Sequence, residues 1–189
     1  LQNFDIAAKF LSEKHGIDTL AGYISPSCDS YVSKKFGSDS ILFLHRYEMV
    51  KLACYEHNAQ KNIINIFPDP WEGLQPSFVS FHKVRDHFDE VLKKLFPKEK
   101  IIVLYIAGSE QFNKSKLYDC DNFIGISRPD CPVKGNSRPE KNIYVCNDPE
   151  YCNSFSDTSS NNLIDRIKKN QSLKGITFDS VISYIKDEL

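Results

Sequence analysis

Hydrophobic residues recur along the chain with two spacings, one typical of helices and one typical of strands. Apolar positions three and four residues apart predict a first helix that carries Phe4, Ala7, Ala8 and Leu11 and ends near Gly16. The same spacing predicts further helices through residues 46–53, from about residue 77 to Pro97, and over about 160–169 and 178–188.

Short apolar runs between these helices predict strands at residues 19–25 (TLAGYIS), 62–67 (NIINIF), 101–107 (IIVLYIA), 123–127 and 142–146. The continuous run IIVLYIA is typical of a strand that is buried on both faces. The polar, lysine-bearing stretch that follows residue 25 is expected to be a loop, as is the stretch 128–141. Alternating strands and helices predict an α/β fold with a mostly parallel sheet and helices on both faces. The length of 189 residues suits a single domain over 1–189.

Polar and aromatic side chains follow several of the predicted strands. Parallel strands end at one edge of a sheet, and ligands bind there, so the loops after residues 25, 67, 107 and 127 are expected to converge on one crevice. Gly108 follows a strand and precedes a helix, where backbone N–H groups can receive a phosphate. Each candidate also has a structural interpretation: Trp71 can be a core anchor, Gly108 a tight turn, and the serines of 156–160 helix caps.

Composition narrows the classes of function. The 24 basic residues nearly balance the 25 acidic ones, which argues against a nucleic-acid-binding protein, and no apolar run has the length of a membrane span. The six cysteines show neither C-x-x-C pairs nor zinc-ligand spacing to histidine, which predicts reduced thiols in the cytoplasm, nucleus or mitochondria. The final residues KDEL match a retention address of the endoplasmic reticulum, but without a visible signal peptide we interpret them as a helix end.

The segments GYISPSCDSY (22–31) and HRYEMVKLA (45–53) resemble those of the nicotinamide/nicotinate mononucleotide adenylyltransferases, a family of the nucleotidyltransferase superfamily. Further similar segments follow in the same order: DPWEGLQ (69–75), IAGSEQF (106–112), FIGISRP (123–129), NIYVCND (142–148), SDTSS (156–160) and SVISYIKDEL (180–189). The resemblance covers nearly the whole chain, and the order of the segments makes it specific. It implies a Rossmann-like nucleotidyltransferase fold.

The resemblance also implies an activity, in which AMP is transferred from ATP to the mononucleotide to give NAD or deamido-NAD and pyrophosphate. ATP and Mg²⁺ would be required, and the protein would contribute positioning and electrostatic stabilisation. The implied mononucleotide-binding residues are Asp29, Tyr31, Lys34, Trp71 and Glu72. The implied ATP-binding residues are Gly108, Glu110, Arg128, Ser159 and Ser160. Trp71 would offer its indole face to the cationic pyridinium, Lys34 is the one catalytic candidate, and no metal-ligating residue is predicted.

At several positions the sequence departs from the family pattern. The family's first strand and its G-S-F-N-P turn, with a phosphate-binding His, have no counterpart, and LQNF matches the positions just after that His. Ile164 stands in place of an Arg, with Arg166 nearby, Ser33 in place of a Lys, and Glu110 in place of an Asp. Tyr118 is the nearest candidate for a second aromatic clamp.

Each charge-stabilising group is worth roughly 10²–10³-fold in rate, so a chain that lacks several of them should not be an efficient adenylyltransferase. Two alternatives explain these departures. Either the physiological chain has an additional N-terminal segment, or the protein is a catalytically inactive homologue retained as a binding or structural subunit of a homo-oligomer or larger assembly. Because the first strand is central in this class of fold, we predict a strand-wide gap between TLAGYIS and IIVLYIA. Direct pairing of these two strands would favour the inactive homologue. We also predict that Trp71 faces the ligand crevice and lies outside the core.

Overall fold

The computed structural model describes residues 1–60, 62–152 and 160–189, and they form a Rossmann-like α/β fold with parallel strands in two sheets. The helices are α1 (Gln2–His15), α2 (Asp29–Phe36), α3 (Phe43–Ala59), α4 (Phe81–Leu95), α5 (Ser109–Lys114), α6 (Pro149–Cys152), α7 (Ser160–Lys168) and α8 (Asp179–Glu188). The strands are β1 (Gly22–Ile24), β2 (Ile66–Pro68), β3 (Tyr105–Gly108), β4 (Phe123–Ile126) and β5 (Ile143–Cys146). The predicted fold class is therefore confirmed. Within these described ranges, no helix combines the length and apolar character needed to cross a bilayer.

The chain falls into two compact units. Unit 1 comprises Leu1–Thr19 and Ser80–Phe155, and unit 2 comprises Leu20–Val79 and Ser156–Leu189. Each unit contains one of the two sheets. The single domain that the length suggested remains a prediction.

Unit 1 is built on the parallel sheet β3-β4-β5, in which β4 is central. One face of the sheet is covered by α1, whose Ile6, Phe10 and Leu11 belong to the same buried cluster as Ile124 and Ile126. The α1 helix ends at Gly16, which takes the left-handed conformation (φ 63°) as the sequence predicted. The other face is covered by a second cluster around Phe112, Leu117, Phe123, Val133 and Ile143. All four residues of β4 are consequently buried.

Unit 2 pairs β1 with β2 in parallel and packs α3 against α8. Met49 and Ala53 of α3 contact a buried cluster that includes Val181 and Ile185 of α8, so the helix predicted through residues 46–53 packs with its apolar residues against α8. The side chain of Asn58 forms two 2.9 Å hydrogen bonds with the backbone N–H and carbonyl of Ile66. This pairing fixes β2 to the last turns of α3. Lys186, Asp187 and Glu188 lie in α8, as expected for a helix end, while the compartment stays a prediction.

Three expectations about local structure were wrong. The stretch after residue 25 contains the helix α2, where a loop was expected. In IIVLYIA only Tyr105–Ala107 belong to a strand, and Ile102 is 45% exposed, so the run is not buried on both faces. The ladder between β3 and β4 begins only at Tyr105, so the preceding apolar residues lie outside the strand. In NIINIF the strand begins only at Ile66 and includes Pro68.

The strands within TLAGYIS and IIVLYIA do not pair with each other. The first contributes β1 to the two-stranded sheet and the second contributes β3 to the three-stranded sheet. The direct pairing that would have favoured an inactive homologue is therefore not observed. The predicted strand-wide gap concerns the spacing of the two sheets and stays a prediction.

Candidate functional site

The loops that follow β1 and β2 are joined by hydrogen bonds in unit 2. Because the two strands are parallel, with Ile24 opposite Pro68, both loops leave the same edge of the sheet. The backbone N–H of Asp69 donates to the carbonyl of Ile24 (2.8 Å), and the hydroxyl of Ser25 donates to Oδ2 of Asp69 (2.7 Å). The backbone N–H of Trp71 donates to the same carboxylate oxygen (3.2 Å). These contacts hold the turn at residues 71–74 directly beside the end of β1.

Arg46, in the first turn of α3, anchors the segment that follows β1. Its guanidinium donates to the carbonyls of Ile41 (2.8 Å) and Ser27 (2.7 Å) and to the carboxylate of Asp29 (2.8 Å). The Arg46 side chain is 16% exposed, whereas that of Asp29 is 45% exposed. A planar guanidinium can serve three partners in different directions, which a lysine cannot do. Arg46 therefore fixes both ends of the segment 27–41, which contains α2.

The turn after β2 is packed against the start of α3. A Cβ atom built on the buried Gly73 would lie 1.8 Å from the ring of Phe43, so only glycine fits there. The side-chain amide of Gln75 donates to the carbonyl of Trp71 (2.9 Å). Trp71 itself is half-buried and is absent from the set of fully buried side chains among the described residues. The backbone of the turn is thus rigidly held, while part of the indole remains accessible.

Glu72 is a half-buried carboxylate in the same turn. Its backbone N–H donates to the hydroxyl of Ser25 (3.3 Å). Burial raises the pKa of the Glu72 carboxyl and the nearby carboxylate of Asp69 adds to this, while a hydrogen bond with Ser27 and the charge of Arg46 oppose the shift. The carboxylates of Glu72 and Asp69 are therefore close together. The nearby positive charge is that of Arg46, whose guanidinium also forms an ion pair with Asp29.

The three candidates from the segment after β1 lie on α2. Asp29 is the first residue of the helix and forms the ion pair with Arg46. Tyr31 is 38% exposed and stacks on Phe78, with ring centroids 4.9 Å apart. Lys34 is exposed and makes no hydrogen bond or ion pair with any residue of the described ranges. Its ammonium group is therefore available to an anion.

Three of the implied ATP-binding residues belong to unit 1. Gly108 ends β3 and precedes α5; its φ of −68° suits any residue, and an added Cβ would meet nothing within 4 Å. Neither the backbone conformation nor packing requires glycine there. Arg128 follows β4, and one of its guanidinium nitrogens lies 3.6 Å from the carboxylate of Glu110, whose side chain is 75% exposed. The structure thus brings Glu110 and Arg128 together beside the end of the sheet.

Four further positions were singled out from the sequence: Ser159, Ser160, Arg166 and Tyr118. Ser159 lies outside the described residues, and Ser160 begins α7 without a described side chain. Arg166, which stands near the substituted position 164, donates to Oδ1 of Asn162 (3.1 Å) and to the carbonyl of Ser172 (3.0 Å). Tyr118 is partly buried against the second core cluster of unit 1. Both side chains already have structural partners.

Sequence reasoning missed four residues that organise the unit 2 loops: Ser25, Ser27, Arg46 and Asp69. Arg46 was identified only as part of the helix predicted over 46–53, and Asp69 only as part of the segment DPWEGLQ. The available signal was the position of Ser25 and Asp69 immediately after two parallel strands. In the described part of the chain, no three His, Cys, Asp or Glu side chains are grouped to hold a metal ion.

No family model matches the chain. It is 35% identical over 94 residues to the "Nicotinamide/nicotinic acid mononucleotide adenylyltransferase" of Schizosaccharomyces pombe, a match that covers 50% of this chain and 23% of that protein. Two proteins of Saccharomyces cerevisiae with the same name, numbered 1 and 2, are 33% and 30% identical over 89 residues, or 47% of this chain and 20% of each relative. The matches thus span about half of this chain and between a fifth and a quarter of the relatives' length.

Proposed function

We propose that this protein is a nicotinamide/nicotinic acid mononucleotide adenylyltransferase, which transfers AMP from ATP to the mononucleotide and releases pyrophosphate. The names of the similar proteins support this assignment, because all three carry that activity in their names. The structural observation that carries it is the hydrogen-bonded pair of loops at the carboxyl ends of β1 and β2. Such an edge of a parallel sheet is where α/β folds bind nucleotides.

The unit 2 loops offer groups that suit a pyridine mononucleotide. The half-buried indole of Trp71 provides a face for the cationic pyridinium ring, an arrangement that is favourable by about 0.5–2 kcal/mol. Tyr31 adds a second partly exposed aromatic ring, and the exposed ammonium of Lys34 suits the 5′-phosphate. In this proposal Arg46 does not touch the nucleotide but positions the segment that carries Asp29, Tyr31 and Lys34.

Unit 1 offers groups that suit ATP. The open space around Gly108 would let a phosphate approach the backbone at the end of β3, and Arg128 carries a cation that can neutralise phosphate charge. Mg²⁺ would arrive bound to ATP as part of the substrate and would neutralise charge on the phosphates. A phosphate oxygen of the mononucleotide would bond to the α-phosphorus of ATP, and pyrophosphate would leave with the electron pair of the broken P–O bond.

A second candidate function is that of an inactive homologue that binds the mononucleotide without transferring AMP. The observation that favours it concerns Arg166, the cation nearest to Ile164 in the sequence. Its guanidinium donates to Asn162 and to the carbonyl of Ser172, and in this alternative these structural partners would keep it from replacing the Arg of the family pattern. Loss of one such charge-stabilising group lowers a rate by roughly 10²–10³-fold.

Two measurements on the chain test the proposal. Calorimetric titration with nicotinamide mononucleotide is expected to show saturable binding, and incubation with ATP, Mg²⁺ and the mononucleotide is expected to release pyrophosphate. Trp71→Phe keeps an aromatic ring and should retain most of the affinity, whereas Trp71→Ala should weaken binding by roughly 2- to 30-fold. Binding without pyrophosphate release would support the inactive homologue. Absence of binding at millimolar mononucleotide would reject both.

A further inference from the structure

We propose that the second half of α4 forms an interface with the same segment of a second copy of this chain. The α4 surface, as we call it, consists of Val91, Leu92, Leu95, Phe96 and Ile101, all in unit 1. None of these residues belongs to the proposed ATP or mononucleotide sites. The interface is therefore independent of the proposed activity.

The apolar side of α4 is only partly used by the core of unit 1. In the first turn, Phe81 packs against the second core cluster, and Val84 is the one buried residue of this fully described helix. Val91 and Leu95 follow Val84 on the same side of the helix, at a spacing of seven and eleven residues, yet they are 37% and 65% exposed. Phe96, directly after the helix, is 48% exposed. Exposed apolar side chains grouped in this way are typical of an interaction surface.

A cavity of about 180 Å³ opens on the α4 surface. Leu92, Phe96 and Ile101 supply its apolar lining, and its other lining residues are charged: Asp89, Lys93, Glu99 and Lys100. A cavity of roughly 150 Å³ can hold a benzene molecule, so this one has room for the leucine side chain of a partner. The surface thus offers both a projecting side chain, Leu95, and a recess that fits such a side chain.

The charges beside the apolar stripe favour a second copy as the partner. Asp89 and Lys93 lie along one side of the stripe and form an ion pair (2.5 Å), and the exposed Glu90 and Lys94 lie along the other side. When two copies of α4 lie antiparallel and cross between residues 91 and 92, Asp89 of each copy faces Lys93 of the other, and Glu90 faces Lys94. A two-fold interface uses the same patch on both subunits and must be complementary to itself. Two acids and two bases in this order meet that requirement, whereas they give no preference for a partner of one charge sign.

Sedimentation equilibrium at micromolar to millimolar chain concentration tests this interface. Two turns of helix form a small contact, so association should be weak and reversible, and the wild-type mass should rise from 21.7 kDa towards twice that value. Leu95→Glu should keep the chain monomeric throughout. The matched control is Leu44→Glu, which changes a 74% exposed leucine on α3 in unit 2 and should associate like wild type. Because both leucines are exposed, both variants should retain the wild-type circular-dichroism spectrum.

Two charge variants test the antiparallel arrangement. Glu90→Lys places like charges opposite each other twice in the interface and should raise the dissociation constant of the dimer by roughly 2- to 30-fold. Adding Lys94→Glu exchanges the two charges and should restore most of the association, because opposite charges then face each other again. A double variant that associates no better than Glu90→Lys would overturn the inference, as would association that survives Leu95→Glu. A wild-type chain that stays at 21.7 kDa at millimolar concentration would also overturn it and assign the surface to a different partner.

Discussion

Replacing Arg46 by lysine tests whether the guanidinium holds the unit 2 loops in place. Lysine keeps the positive charge but lacks the planar fork, so it can retain one of the three partners of Arg46. If lysine keeps Asp29, the carbonyls of Ser27 and Ile41 lose their donor. At about 0.5–1.5 kcal/mol for each lost hydrogen bond, the free energy of unfolding of unit 2 should fall by about 1–3 kcal/mol. The Asp29 ion pair adds little to this figure, because its carboxylate is 45% exposed.

The assay is urea unfolding followed by tryptophan fluorescence. Trp71 is the only tryptophan of the chain and lies in unit 2, so its emission reports on that unit without interference from unit 1. The matched control is Arg85→Lys in unit 1, where a guanidinium of the same 16% exposure binds Asp86 and the carbonyl of Asp121. This control should leave the Trp71 transition unchanged. An unchanged midpoint for Arg46→Lys, with unchanged mononucleotide affinity, would refute the anchoring role of Arg46.

Three further predictions follow from particular contacts. Gly125→Ala should destabilise unit 1 by about 1–3 kcal/mol in chemical denaturation, because its Cβ would lie 2.7 Å from the ring of Phe112; a midpoint equal to wild type would contradict that packing. Trp71→Ala should weaken mononucleotide binding by roughly 2- to 30-fold yet cost less than the roughly 3–5 kcal/mol of a truncated core Trp, as judged by the circular-dichroism melting curve. Hydrogen bonds from Ser180 lower the pKa of Glu56 below 4.5, so they stabilise unit 2 above that pH and are lost as the pH falls through the lowered value. Glu56→Gln should therefore show a smaller loss of stability on acidification than wild type, and an identical loss would argue against the contact.

The helices that carry a long apolar periodicity could be predicted from the sequence. The first helix and its stop at Gly16, and the helix that ends before Pro97, follow from spacing and from end signals alone. The helix α2 could not be predicted in this way, because Val32 is its one buried residue and no apolar stripe marks it. Its stability depends on contacts outside the helix, including the ion pair of Asp29 with Arg46.

The extent of the strands was predicted well for β4 and β5 and poorly for β3. The predicted strand FIGIS matches β4, which pairs with β3 and β5 and is buried throughout. The more apolar run IIVLYIA forms a strand over only a few residues, because its hydrogen-bonding partners, not its hydrophobicity, determine where the ladder begins. For the candidate site, the positions of the predicted strands along the sequence indicated which loops lie at the carboxyl edge of a parallel sheet. The roles of Arg46 and Ser25 depend on hydrogen bonds between segments about 19 and 44 residues apart, which spacing does not reveal.

Titration of the chain with nicotinamide mononucleotide, followed by the fluorescence of Trp71, tests the central claim most directly. The claim is that the loops after β1 and β2 bind a pyridine mononucleotide beside this tryptophan. A pyridinium stacked on the indole should quench its emission in a saturable manner, and Arg46→Lys should shift the curve to higher nucleotide concentration. Emission that stays constant up to millimolar nucleotide, or that changes equally with inorganic phosphate alone, would contradict the claim.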